Sequence, residues 1–424
     1  MATYQLSSNI LIQQIPSDKY PDRNLLIEFS FLNKYEGSST WADLTQTMCI
    51  TLPKKIVTRA RKEGGIPFFF QINAENTNSG NLGGFDSAPA FMRGDLIKFN
   101  IGYSCIINNN QVAITTGDGI SPELFAGVIS RVAPNFPFTI ECEDYMWLLK
   151  QMPTPAKNWG NVTLQKIVKD VMDSSASLPI ITRYKNFINL TVSDFSTTDL
   201  KFNVNNFTTT RGSLAAMLAR IKSEYRVDSY FRGQELRIGY LHYVADDSVN
   251  HTFTFQQNIL DDNNLEWQRR DDAVLSMIVR SNYLVAEGGT TSDGITKTTH
   301  KSTEILIYNN AGVFTYITKE KGKDFPTKYL NDIGERFTMN IFDAITDPAK
   351  LFEIGRPQLS KYYYNGFKGS FTTFGFPYVK HGDTVQLVNN MLPELTGFYK
   401  VKAVKYFGGV DSGYKQTITL DYKI

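Results

Sequence analysis

The sequence predicts an α+β protein that is mainly β, with two similar β-barrel domains flanking a small α/β domain. One observation is a repeat. Gly94-Asp95-Leu96-Ile97-Lys98-Phe99 is followed by Glu123-Leu124-Phe125-Ala126-Gly127, the strand Val128 to Val132, and Thr139-Ile140 running to Asp144-Tyr145. The same order returns in Gly382-Asp383-Thr384-Val385-Gln386-Leu387, Glu394-Leu395-Thr396-Gly397, Val401 to Val404, and Thr417-Ile418 running to Asp421-Tyr422. A second observation is the abundance of aromatics, 29 Phe and 22 Tyr, which suit strands and interfaces. A third is that two capped amphipathic helices fall between the copies of the repeat.

Residues 1–150 read as the first barrel. Leu25 to Phe31 is a β-rich run, and Met48 to Leu52 ends at Pro53. Asn76, Asn78, Ser79, Gly80, Asn81, Gly83 and Gly84 give 73–90 the composition of a long mobile loop. Strands resume at Leu96, with Asn108-Asn109-Asn110 as a hairpin turn.

Residues 151–250 read as the α/β domain, opened by Pro153 and Pro155. Thr163 caps a helix carrying Leu164, Ile167, Val168 and Val171 at i, i+3, i+4 and i+7. Ser213 caps another, with Leu214, Met217, Leu218 and Ile221 at the same spacing. Ile188 to Val192 and Glu235 to Tyr240 read as short strands.

Residues 251–424 read as the second barrel. Val274 to Ser281 is a strand, and 286–299 is a Gly/Thr/Ser-rich loop. Leu330, Ile333, Phe337 and Ile341 share one face of an expected helix over 328–345, with Pro348 beyond its end. The loop and helix are expected as insertions in the second barrel.

A chain of 424 residues is long enough for two to four domains. Its 44 basic and 42 acidic residues nearly balance, which argues against bulk attraction to nucleic acid or anionic membrane and leaves room only for a local basic patch. Cys49, Cys105 and Cys142 are scattered, so neither a disulfide scaffold nor a structural zinc site is expected. No signal peptide is seen at Met1-Ala2-Thr3-Tyr4-Gln5-Leu6, and no run reaches the ~18 apolar residues of a membrane helix. A chain soluble when made, in a reducing cytoplasm, is the expectation.

With these segments placed, their order resembles the hub proteins of contractile and long tails: phage late-control D proteins, baseplate hubs of large tailed phages, and the first part of type VI secretion spike proteins. The residues that carry the resemblance are Gly94-Asp95 with Phe99 to Tyr103, Phe125 to Ile129, Ile140 to Asp144, the two helices, Tyr230 to Leu236, Gly382 to Val385, Gly397 to Val401 and Gly413 to Ile418. Each piece alone is degenerate; the ordered set spans most of the chain. The resemblance implies a homotrimer whose two barrels per chain make a pseudo-sixfold ring, joining a sixfold tail tube to a threefold spike or fibre. It implies a structural role at the tail tip or baseplate of a virion assembled in the host cytoplasm. The implied partners are a tail-tube or distal tail protein, a spike, needle or fibre protein, and DNA or a tape-measure protein passing the bore without specific binding. No β-helical needle, lysozyme or peptidase segment is seen, so such a domain is expected on a separate protein.

No chemistry competes strongly with that reading. Asp261-Asp262, Asp271-Asp272 and Glu143-Asp144 are carboxylate pairs, but neighbours on a strand point to opposite faces, and a glycosidase needs its two carboxylates across a cleft. Arg269-Arg270 reads as an ion-pair partner of the adjacent acids. His242, His251, His300 and His381 are isolated, so no metal site is expected. Cys142, between Glu141 and Glu143, reads as an inert thiol. No catalytic residue, cofactor or metal is assigned. The densest aromatic run offers candidate interface residues: Tyr362, Tyr363, Tyr364, Phe367, Phe371 and Phe374. It also reads as barrel core and rim. A stacking platform for single-stranded nucleic acid would need more interleaved cations than Lys361, Lys368 and Lys380 supply. The rival functions are a tail-associated cell-wall hydrolase and a β-rich receptor- or glycan-binding fibre protein.

Overall fold

The computed structural model describes residues 3–53, 55–62, 65–73, 89–107, 110–114, 123–133, 138–160, 162–194, 203–204, 207–239, 250–270, 275–290, 296–310, 312–320, 322–326, 335–341 and 345–424. The expected loop at 73–90 and the turn residues 108–109 fall almost wholly outside that set, as do His242 and the Asp271-Asp272 pair.

The fold is mainly β. Its first region holds β1 (Thr3–Gln13), β2 (Leu26–Phe29), β3 (Lys34–Thr40), β4 (Thr47–Leu52), β5 (Lys55–Arg61), β6 (Phe68–Asn73), β7 (Leu96–Ile107), β8 (Asn110–Ile114), β9 (Glu123–Ala133) and β10 (Phe138–Glu143). They lie side by side as β3-β4-β10-β9-β7-β1-β2-β5-β6, all antiparallel, with β8 beside the far end of β7. Strict alternation sets the faces. β10 buries Phe138, Ile140 and Cys142, while β5 buries Ile56, Thr58 and Ala60.

The middle region contains helices α1 (Leu164–Ser175) and α2 (Leu214–Tyr225) and a small sheet of β11 (Thr191–Asp194), β12 (Asp228–Arg232) and β13 (Glu235–Gly239). Both helices start where the sequence places them. The Thr163 hydroxyl accepts the Lys166 N–H, and the Ser213 hydroxyl accepts the Ala216 N–H. Each buries its predicted apolar stripe.

The last region opens with β14 (Asn250–Thr254), β15 (Ile259–Asp261) and β16 (Leu265–Gln268). A separate sheet follows, made of β17 (Leu275–Thr290), β18 (Thr296–Asn310), β19 (Val313–Thr318) and β20 (Glu335–Ile341), covered by helix α3 (Pro348–Ser360). The chain ends in β21 (Gly366–Phe374), β22 (Thr384–Val388), β23 (Gly397–Gly409) and β24 (Gly413–Lys423). These lie in the order β14-β22-β23-β24-β21, with β15 and β16 beside β21.

Two expectations are corrected here. Within the expected helix over 328–345 the described residues 335–341 are strand: Phe337 and Ile341 sit on β20, which runs parallel to β17, while Leu330 and Ile333 lie outside the described residues. The helix begins at Pro348 instead, with the Asp347 carboxylate accepting the Ala349 N–H. Proline suits the first turn because its missing N–H would be unpaired there anyway. The loop at 286–299 is largely the end of a long hairpin, with Ala286 opposite Thr298 and Thr290 opposite Thr296. Threonine-rich stretches favour strand as much as turn.

The repeat has a structural counterpart. β7-β9-β10-β4-β3 in the first region matches β22-β23-β24-β21-β16 in the last, both in spatial order and in order along the chain. The units differ at their ends. β1 meets β7 antiparallel, whereas β14 meets β22 parallel, and the separate sheet is inserted between β16 and β21. Among the described residues no ladder closes either set into a ring. The two sets join through β3, which pairs with β23 from Ala403↔Thr40 to Gly409↔Lys34.

Packing follows that junction. One buried cluster runs from Ile10, Phe99 and Ile140 through to Phe371, Tyr399 and Ile418. Tyr35 links its halves, lying 5.1 Å from the ring of Phe99 and 6.3 Å from that of Tyr414. A second cluster joins the middle region to the inserted sheet, with Ile167, Leu218, Val279, Ile307 and Leu351 in one core.

Candidate functional site

The two Gly-Asp turns are built alike. Gly94 has φ +98° and Gly382 φ +84°, a region open to glycine and costly for other residues. The Gly94 N–H donates to the Ile129 carbonyl at 2.8 Å, and the Gly382 N–H to the Val401 carbonyl at 2.8 Å. The Asp95 carbonyl accepts the Ile129 N–H at 2.8 Å, and the Asp383 carbonyl accepts the Val401 N–H at 3.0 Å. The Asp95 N–H reaches the Met92 carbonyl, as that of Asp383 reaches Lys380. The carboxylates complete the match: Asp95 accepts the Met92 N–H at 2.7 Å and Asp383 the Lys380 N–H at 2.8 Å.

An arginine satisfies each buried aspartate, but from different places. Arg23, just before β2, grips Asp95 at 2.8 and 2.6 Å in a two-pronged pair. Arg232, at the end of β12 in the middle region, donates to Asp383 at 2.8 Å and to the His381 carbonyl at 3.0 Å. His251 approaches the other Asp383 oxygen at 3.4 Å. Burial works against the Asp383 carboxylate, yet His251 and Arg232 together hold it below the ordinary range.

A small cavity of roughly 40 Å³ lies where the three regions meet, with Ser39, Asp144, Arg232, Lys380 and His381 in its wall. Ser39 Oγ lies 2.5 Å from His381 Nδ1. Burial, with Arg232 nearby, pushes His381 down to about 3, so its imidazole is neutral. Burial pushes Asp144 up to about 7, although the Gln46 and Met146 N–H groups donate to it. The cavity has room for about one or two waters and none for a sugar or peptide. It is a polar joint between regions.

Among the described residues no group of three His, Cys, Asp or Glu side chains could hold a metal, and no helix is long and apolar enough to cross a membrane. Cys142 is buried in the first core, and burial raises its thiol well above the ordinary value.

No family model matches the chain, and no curated protein matches its sequence. Solved structures do match its fold. The tail protein from Neisseria meningitidis MC58 is 11% identical, with a TM-score of 0.51 over 98% of this chain and 96% of that one. The 43 kDa tail protein of prophage MuSo2 from Shewanella oneidensis is 10% identical, with a TM-score of 0.50 over 98% of both chains. The chain has a tail-protein fold.

Within this tail fold the candidate interface residues divide. Tyr362 stacks on Phe337 of β20 at 5.3 Å, and Tyr363 meets Phe314 of β19 at 5.4 Å, so both tie the end of α3 to the inserted sheet. The Tyr364 hydroxyl donates to the Phe367 carbonyl. Phe367 packs against Trp267, and Phe371 is buried against Phe253 in the core shared by both β regions. Phe374 stands 45% exposed. Arg232 and Ser39 join the tail fold's regions, while Arg23 and His251 hold the Gly-Asp turns within theirs. No motif marks them, because each acts on a partner distant in sequence.

Proposed function

We propose that this chain is a tail hub, a structural protein at the tail tip or baseplate of a tailed phage or related contractile injection particle. Three copies close a pseudo-sixfold ring that adapts a sixfold tail tube to a threefold spike or fibre. The observation that carries this reading is the repeated five-strand unit, with its Gly-Asp turn hydrogen-bonded alike in both copies. A closed oligomer repeats its interfaces under its own symmetry. Three chains with two like units each offer six like edges to the tube.

The parts that are not repeated have the other symmetry. The middle region and the inserted sheet occur once per chain and share a core. A trimer presents three of them, so they face the spike or fibre. The β3–β23 ladder and the polar joint fix the angle between the two units of one chain. The role is mechanical: the ring holds its partners, and its bore passes DNA or a tape-measure protein. Assembly takes place in the host cytoplasm and the product stays in the virion tail.

Light scattering of the purified chain with its tail-tube protein tests this. A complex with three hubs per tube ring supports it. A stable hub dimer at high concentration overturns it, and so does peptidoglycan turnover by the isolated chain.

A further inference from the structure

Strand β5 alternates buried and exposed positions, and its outward residues are Lys55, Val57, Arg59 and Arg61, followed by exposed Lys62. Successive outward side chains on a strand are about 7 Å apart. Some exposed cations elsewhere are neutralised: Lys34 and Lys405 share Glu36, Arg131 holds Glu141, and Lys150 holds Glu143. No carboxylate of a described residue lies within 4.0 Å of Lys55, Arg59, Arg61 or Lys62. Glu28 stands opposite Arg59 on β2, but it accepts from Asn9. The surface is therefore a local basic stripe on a chain whose total charge is nearly balanced.

Its surroundings add an aromatic. Phe69 on β6 lies opposite Arg59, shares its face and is 74% exposed. Ile66, in the turn before β6, is 90% exposed. Among the described residues β6 pairs with β5 alone and β5 lies between β6 and β2, so β6 is the outer strand of the first region's sheet. Cations spaced along one strand beside an exposed aromatic suit a nucleic-acid backbone with a base stacked on the ring. An acidic peptide adding to the edge of β6 would use backbone groups and leave the β5 face unused.

We propose that the outward face of β5 and β6 is a sequence-independent binding site for the phosphate backbone of a nucleic acid. Lys55, Arg59, Arg61 and Lys62 neutralise phosphates, and Phe69 stacks on a base where the strand is single. The inference holds whether or not the chain is a trimeric adaptor.

Fluorescence anisotropy with the full chain tests it, using a labelled 20-base-pair duplex and a labelled oligo-dT between 50 and 200 mM salt. Four neutralised phosphates give a log–log salt slope of about −3.6 for duplex and about −2.8 for the single strand. Replacing the four cations by alanine should weaken both by at least about tenfold at 50 mM salt and flatten the slopes. Phe69→Ala should weaken oligo-dT about fivefold or more and spare the duplex. A Lys34→Ala/Lys405→Ala variant should bind as the wild type does, because those lysines are already paired. Thermal melting verifies that every variant is folded. The proposal is overturned if the wild type fails to bind at 50 mM salt, if the four-alanine variant binds equally well, or if polyglutamate competes as well as DNA. Undiminished oligo-dT binding by Phe69→Ala overturns the stacking role.

Discussion

Arg232 and Asp383 form an ion pair at 2.8 Å that crosses from the middle region into the second repeated unit. The matching aspartate in the first unit, Asp95, takes its arginine from only 72 residues away, at Arg23. One turn, used twice, is therefore locked once from inside its own region and once by the neighbouring region. That difference fixes the middle region against the second unit.

The two locks should differ in strength. Arg23 and Asp95 are both buried, with side chains 3% and 1% exposed, whereas Arg232 is 21% exposed. Arg23→Ala should cost about 3–5 kcal/mol, the range for stranding a buried charge. Arg232→Ala should cost less, about 2–3 kcal/mol, because solvent screens part of that pair. Urea unfolding checks the order; equal or reversed costs contradict it.

The glycines of the two turns should also rank. A Cβ on Gly94 would lie 3.0 Å from the Tyr184 hydroxyl, which already donates to the Gly94 carbonyl. A Cβ on Gly382 meets Arg232 Nη1 at 3.4 Å, a looser contact. Backbone strain alone costs roughly 1–2 kcal/mol at each site. Gly94→Ala should therefore lower the melting temperature more than Gly382→Ala.

Asp144 and His381 should oppose each other in pH dependence. The folded pKa of Asp144, about 7, lies above the ordinary carboxylate value, so the folded chain keeps a proton that the unfolded chain releases. The stability it confers is full below about pH 4 and is lost as the pH rises toward 7, by about 4 kcal/mol. The folded pKa of His381, about 3, lies below the ordinary imidazole value. Its contribution is full above about pH 6.5 and is lost as the pH falls toward 3, by about 5 kcal/mol. Between pH 4 and 6.5 the slopes nearly cancel. Asp144→Asn should expose a loss of stability on acidification, and His381→Asn a gain. Unfolding midpoints at pH 4.5, 5.5 and 6.5 measure both; unchanged profiles in both variants contradict the assignment.

Much of this architecture was legible because it is local. Thr163 and Ser213 announce their helices by a hydroxyl followed by an apolar stripe, and both caps form. The Gly-Asp pairs mark turns into strands, since glycine supplies the backbone angle and aspartate the returning hydrogen bond. Phe337 and Ile341 misled because a spacing of four places two apolar residues on one face of a strand as well as on one face of a helix. Pro348 was ambiguous, since proline both ends helices and begins them. Phe371 was legible only as an aromatic: its alternation fits a strand, but nothing nearby says which face meets Phe253. Arg232 was illegible because its partner lies 151 residues away.

The tail-hub reading stands or falls on an averaged image of the tail tip viewed down its axis, with this chain labelled. Three labelled chains should surround the bore, giving six similar lobes on the tube side and three on the other. Six copies of the chain in the ring, or three lobes on both sides, would contradict it.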